Sequence, residues 1–259
     1  GQWLRPPAAV CFNHLMNALA QLTRGLSDVV FPPVCTHCRG LVGEDSGFRQ
    51  LCRRCAAQLT FVQSPHCTTC GHPFYGEMAE GRMCPHCVGL APAFREGRTV
   101  VLFKGPARAL VIELKYHHGL HVLEDMGEVF RRSPGILDFV RGATLVPVPL
   151  HPRKERERGY NQSLLLARHL AGAAGAGTKV ESLLRRVVDT QTQTAFDRKT
   201  RQANLKNAFA LVRRATLNPN LHYVLVDDVF TTGSTLNGCA RVLRHRGCMN
   251  LDVLTFGHG

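Results

Sequence analysis

Val224, Leu225 and Val226 form an apolar run that leads straight into Asp227 and Asp228, then Val229-Phe230-Thr231-Thr232-Gly233-Ser234-Thr235-Leu236. A short apolar run without alternation is the pattern of a strand buried on both faces. Such strands belong to parallel sheets, which must be covered by helices on both sides, so this run commits the chain to an α/β layout. Open α/β sheets collect their ligands at the carboxyl ends of strands, where the two carboxylates stand. A hydroxyl-rich loop around one glycine then runs into an amphipathic helix. Backbone N–H groups at a helix start, with the hydroxyls of Thr231, Thr232, Ser234 and Thr235 around Gly233, make a seat for a phosphate dianion. Adjacent carboxylates accept hydrogen bonds from a vicinal diol. Phosphate at one end and diol at the other describe a ribose 5-phosphate. A plain helix cap at Thr231 or Thr232 would use one hydroxyl and leave the other three, and the acid pair, without a role.

The eleven cysteines carry a second pattern. Cys35-x-x-Cys38 is followed by Cys52-x-x-Cys55, and Cys67-x-x-Cys70 by Cys84-x-x-Cys87, so the same spacing occurs twice in tandem. Two cysteines two residues apart can face one tetrahedral ion from a tight turn, and four thiolates are the usual shell of structural Zn²⁺. Disulfides and an iron–sulfur cluster are the competing uses. A cytoplasmic setting disfavours the first, and the paired spacing fits zinc ribbons better than ferredoxin patterns. One ion per repeat is expected, with cross-braced pairing the alternative. A closed Cys₄ site leaves no position for water and is structural. His37, His66, His72 and His86 are expected to be solvated turn residues, and Cys239 and Cys248, like Cys11, to be plain thiols.

A formal charge of +13 points to anionic partners without choosing between nucleic acid and a phosphorylated small molecule. The apolar share of 44% is ample for a core, which excludes wholesale disorder. No apolar run reaches the length of a membrane span, and a cytoplasmic location is expected. Leu15, Leu19, Leu22 and Leu26 follow helical spacing and predict an N-terminal amphipathic helix within 1–33.

Between these motifs, strands are predicted near 98–103, 144–149, 181–186, 222–227 and 250–256. Helices are predicted from Pro106 to about Lys115-Tyr116, over about His121 to Phe130, and from near Asn161. Pro147 and Pro149 cannot donate to a ladder, so the second strand should fray into a loop. That loop carries Arg153, Lys154, Arg156 and Arg158, side chains suited to phosphate oxygens, although Glu155 and Glu157 partly neutralise it. Further on, Arg198, Arg201 and Lys206 crowd a polar segment that by itself reads as a basic surface helix or a nucleic-acid contact.

The Asp-Asp-Val-Phe-Thr-Thr-Gly-Ser-Thr segment resembles the signature of type I phosphoribosyltransferases. With the tandem cysteine repeat before it and the Arg153-to-Gln162 segment between, ending Arg-Gly-Tyr-Asn-Gln, nearly the whole chain from Val34 resembles the ComF family, which is associated with DNA uptake in natural transformation. The resemblance implies a double zinc ribbon at 34–90 and a phosphoribosyltransferase-like domain at 91–259, a parallel sheet flanked by helices. It implies that Thr231–Thr235 hold the 5′-phosphate of 5-phosphoribosyl-1-pyrophosphate (PRPP), which arrives with Mg²⁺. Asp227 and Asp228, the expected catalytic pair, would take the ribose hydroxyls, Pro149 to Gly159 would form the pyrophosphate loop, and the segment with Arg198, Arg201 and Lys206 would form a mobile hood. Other competence proteins are implied partners. Two functions stay open: a phosphoribosyltransferase, or a non-catalytic single-stranded DNA-binding protein that retains the sugar-phosphate site as a sensor or anion grip.

Overall fold

The computed structural model describes residues 32–74, 84–188 and 208–259. Cys11, the leucines of the expected N-terminal helix, and the expected hood with Arg198, Arg201 and Lys206 lie outside them.

Strands β1 (Gly97–Leu102), β2 (Thr144–Pro147), β3 (Lys179–Val180), β6 (Tyr223–Phe230) and β7 (Leu251–His258) form, among the described residues, a five-stranded parallel sheet of order β1-β7-β6-β2-β3. A small antiparallel pair, β4 (Leu184–Arg186) and β5 (Phe209–Leu211), stands apart from it. The α-helices among the described residues are a single turn α1 (Arg53–Ala56), then α2 (Gly105–Tyr116), α3 (Leu123–Arg132), α4 (Ile136–Val140), α5 (Pro152–Arg158), α6 (Gln162–Ala174) and α7 (Ser234–Arg244).

Because β6 is the middle strand, its successive side chains must be apolar on both faces. Val224 and Val226 enter one core with Leu110, Leu114, Met126, Phe130, Leu166 and Leu170 of the helices α2, α3 and α6. Leu225 enters the other, with Leu236, Cys239 and Leu243 of α7. Each such fully buried side chain contributes about 1.5–3 kcal/mol relative to exposure.

The cysteine repeats are divided between these two cores. Cys35, Phe48, Leu51 and Cys55 join the first, and the four cysteines Cys67 to Cys87 join the second with Leu90 and Phe94. Asp125 of α3 fastens the first repeat by accepting the N–H groups of Arg49 at 2.7 Å and Gln50 at 2.8 Å. The linker between repeats runs along the otherwise open edge of β1. There Val62 N–H donates to Val100 O (3.0 Å), Leu102 N–H to Thr60 O (3.0 Å) and Gly97 N–H to Thr68 O (2.7 Å). An open edge is a pairing hazard, and the fold closes this one with its own chain.

Two expectations are corrected. The single strand at 181–186 is instead two pieces in different sheets. Glu181 N–H still bonds Leu145 O of β2 (2.9 Å), after which the chain leaves so that Leu183 and Leu184 can bury in the α7 core. The stretch from Pro149 to Gly159 is not all loop: only four residues separate β2 from α5. The signals for that helix were present: Pro152 in the first turn, Glu155 near its start, Arg156 and Arg158 in its last turn, and Gly159 at φ 79° as its cap.

Candidate functional site

β2 stops at Pro147 while β6 continues to Phe230. The last ladder contact on that side is Val148 N–H to Val226 O at 3.0 Å. The prolines end β2 there, so the β2 side of β6 loses its ladder partner past Val226, and Asp227 and Asp228 are the next two residues. On the other side β6 stays paired through Asp227↔Thr255 and Phe230↔His258. The acid pair therefore sits within the strand rather than at its tip, because β6 runs three residues past its predicted end at 227.

Asp228 is buried; the ammonium of Lys115 donates to its Oδ1 at 3.0 Å and lies 2.8 Å from Oδ2, which accepts no hydrogen bond from the described residues. Asp227 Oδ1 accepts the Ser163 hydroxyl and the Asp228 N–H, each at 2.9 Å. Burial first, and then the Asp228 charge, push the Asp227 carboxyl up to about 7, although Lys115 and both hydrogen bonds pull the other way. Lys115 itself is held above its ordinary value: burial alone would lower it, and the Asp228 carboxylate outweighs that.

The chain then forms the hydroxyl loop. The cap of α7 is Gly233, not Thr231 or Thr232, at φ 68° and ψ 0°, and the cap residue itself brings no side chain to the helix start. Only glycine fits: a Cβ there would lie 2.5 Å from the Phe230 ring and 2.9 Å from Leu90 Cδ2. Thr232 Oγ1 donates to Ser234 Oγ at 3.0 Å and accepts the Ser234 N–H at 3.4 Å. Thr231 is exposed and Thr235 half-buried. Exposed hydroxyls beside a helix start whose cap residue brings no side chain can receive an anion.

On α5 the basic side chains diverge. Arg153 pairs with Glu157 at 2.9 Å, while Arg158 turns inward, donates to Gln162 Oε1 and lies 5.9 Å from the Tyr116 ring centre. Of the four basic residues, Arg158 is thus tied to the end of α2 that carries Lys115. Lys154 is half-buried and Arg156 exposed.

The eight paired cysteines gather as Cys35, Cys38, Cys52, Cys55 and as Cys67, Cys70, Cys84, Cys87, with the sulfurs of each set within 4.8 Å of one another. Pairing is sequential. N–H groups aim at the sulfurs, as from His72 to Cys70 Sγ at 3.4 Å and from Cys84 to Cys67 Sγ at 3.5 Å. Cys35 is buried, which would raise it, yet the N–H groups of Cys38, Cys52 and His37 hold it down to about 7. Four convergent thiols with N–H support fit a structural Zn²⁺ in each repeat. The nearby histidines are not ligands in either set, but neither are all of them solvated. His66 bonds Arg98, and His72 and His86 pack their rings on His258 at 4.9 and 5.3 Å.

A family model described as a double zinc ribbon domain matches residues 26–88. DNA utilization protein YhgH of Salmonella typhimurium is 31% identical over 230 residues, covering 86% of this chain and 95% of its own. Competence protein F of Haemophilus influenzae is 28% identical, covering 85% and 94%. Competence protein ComFC of Bacillus subtilis is 23% identical, covering 83% and 90%. The chain belongs to the ComF family. Among solved structures, a hypoxanthine phosphoribosyltransferase from Staphylococcus aureus is 14% identical, with a TM-score of 0.33, covering 51% of this chain and 62% of that one.

Sequence reasoning about this ComF family chain missed three residues that build the site. Lys115 lies in the last turn of the apolar-faced helix α2 and in the sequence serves only to mark where that helix ends. Ser163 follows Asn161, whose side chain accepts the N–H groups of Ser163 (2.9 Å) and Leu164 (3.4 Å) and donates to Val148 O at 3.0 Å. Tyr160 donates its hydroxyl to Leu114 O, pinning the end of α2 to the Gly-Tyr-Asn-Gln segment. A signal for Asn161 was legible, since Asn before an apolar run is a helix cap. Lys115 and Ser163 reach the acid pair only through tertiary packing, over sequence gaps that no local pattern spans.

Proposed function

We propose that this ComF family protein binds PRPP, or a closely related ribose phosphate, at the end of β6 and serves DNA uptake. The observation that carries the reading is that a carboxylate pair in β6 is followed directly, between Asp227 and Thr235, by a glycine-capped, hydroxyl-rich helix start. In that reading Thr231, Thr232, Gly233, Ser234 and Thr235 hold the 5′-phosphate. Asp227 and Asp228 accept the ribose hydroxyls, and Arg158, with Arg153, Lys154 and Arg156 farther along α5, faces the pyrophosphate. Mg²⁺ would arrive on the pyrophosphoryl sugar and neutralise its charge. The chemistry such a site serves is attack of a nucleophile at C1 as the C1–oxygen bond to pyrophosphate breaks, with the bonding pair leaving on pyrophosphate; positioning and leaving-group stabilisation dominate. The role in DNA uptake rests on relatives named for competence and DNA utilization. Among the described residues no helix is long and apolar enough to cross a membrane.

Calorimetric titration of the zinc-loaded protein with PRPP, with and without Mg²⁺, tests this. Saturable, Mg²⁺-dependent heat is expected. No heat from a folded, zinc-loaded sample overturns it. The reading as a single-stranded DNA-binding protein would then stand on the basic surface, with an affinity that falls steeply as salt rises.

A further inference from the structure

The least explained group in the site is Lys115. A lysine whose ammonium leaves water and spends its charge on one buried carboxylate is unusual at the last turn of a helix, where lysine normally extends into solvent. The surrounding bonds hold it there. Tyr160 donates to the carbonyl of Leu114, the residue before it, and the Arg158 guanidinium lies over the ring of Tyr116, the residue after it. The end of α2 is thus fixed on both sides of Lys115 by the segment that leads into α6, the helix that also delivers Ser163 to Asp227.

Resting on the reading of the β6 end as a ribose-phosphate site, we infer that Lys115 is the positioning residue of the acid pair. Its ammonium, 3.0 Å from Oδ1 and 2.8 Å from Oδ2 of Asp228, orients that carboxylate as an acceptor for a sugar diol and offsets the negative charge of the pair. Among the described residues, the groups facing Asp227 are Asp228 beside it on β6, Lys115 from α2, Ser163 from α6 and the Cys239 thiol from α7. Lys115 is the cation of that set. Two carboxylates one residue apart in a buried strand cannot both ionise easily without one. With the cation present, Asp227, raised to about 7, loses its proton near neutrality, so a diol meets a full acceptor there on the alkaline side. Without the cation, Asp227 holds its proton to higher pH and that acceptor is lost at pH 7.

The test uses the full-length zinc-loaded protein and the variants Lys115→Met, Lys115→Arg and Lys115→Met/Asp228→Asn. Carboxyl protonation is read by infrared difference spectroscopy on ligand-free protein, and PRPP affinity by calorimetry from pH 6 to 9. In Lys115→Met the protonated-carboxyl band is expected to persist at least one pH unit higher than in the unaltered chain. PRPP affinity should fall at least tenfold at pH 7, in line with the roughly one-to-three-unit effect of a close opposite charge, and partly recover at pH 9. Lys115→Arg should restore the affinity. The double variant removes both charges together, so it should fold as well as the unaltered chain and still bind weakly. An unshifted carboxyl band in folded Lys115→Met overturns the inference, as does unchanged PRPP affinity across the pH range. If no form binds PRPP but the band shifts in Lys115→Met, the ribose-phosphate reading falls and the control of the acid pair by Lys115 is supported.

Discussion

Asp227 and Asp228 are adjacent in sequence and opposite in electrostatic state. Asp228 has a cation; Asp227 has a hydroxyl, an N–H and a like-charged neighbour. A carboxyl raised to about 7 in the folded chain is protonated there while the unfolded chain, near 3.9, is already ionised. Folding stability should therefore drop as pH climbs from about 4 to 7, and stay reduced above that. Asp227→Asn removes this penalty, so it should raise ligand-free stability at pH 8 by on the order of 1–4 kcal/mol, leave it unchanged near pH 4, and weaken PRPP binding. Denaturant unfolding at both pH values checks this; equal stability gains at both would refute it. At Gly233, alanine would push the Phe230 ring and Leu90 apart in a conformation alanine resists, and a loss of about 1–3 kcal/mol with loss of the phosphate seat is expected. Asp228→Asn with Thr232→Ala should abolish PRPP binding and leave the metal content untouched, as measured by calorimetry and elemental analysis of one sample.

At the level of elements, α6 depends on its cap. Asn161 closes the helix start, reaches back to Val148 and so sets where Ser163 stands. Asn161→Ala should cost about 1 kcal/mol or more in thermal unfolding and weaken PRPP binding even though Asn161 lies outside the acid pair; a stability loss with unchanged affinity would count against that coupling. The elements themselves were largely legible: β6, β7, α2 and α6 announce themselves by apolar run, proline position and cap. What was not legible is where elements change partners. The apolar Leu183 and Leu184 signal burial, but nothing local says that they bury against α7 rather than continue beside β2. The same holds for the site. Hydroxyls, carboxylates and glycine sit within one segment and could be read from it, whereas Lys115 and Ser163 come from 113 and 64 residues away.

For the whole molecule, the cysteine repeats are part of both cores rather than an appendage, so metal and fold should be lost together. Two Zn²⁺ per chain are expected, and strong chelation should unfold the chain cooperatively, with far-UV and near-UV circular dichroism falling in step; persistence of the sheet without metal would disprove it. The exit of the second repeat has a further consequence. Leu90 rests against Gly233, while Ala93 N–H and Ala91 O are both taken by the Asn237 side chain of α7, at 2.7 and 2.9 Å. The back wall of the Gly233 loop, the proposed phosphate seat, is therefore supplied by the strap leaving the second cysteine repeat. A chain begun at residue 91 would lack Leu90, leave β1 with a bare edge and take away the wall behind that loop. The half that carries β6 and α7 is thus not portable: trimmed of its ribbons for crystallisation or transplanted to another protein, it would arrive without the surface that shapes the loop after β6.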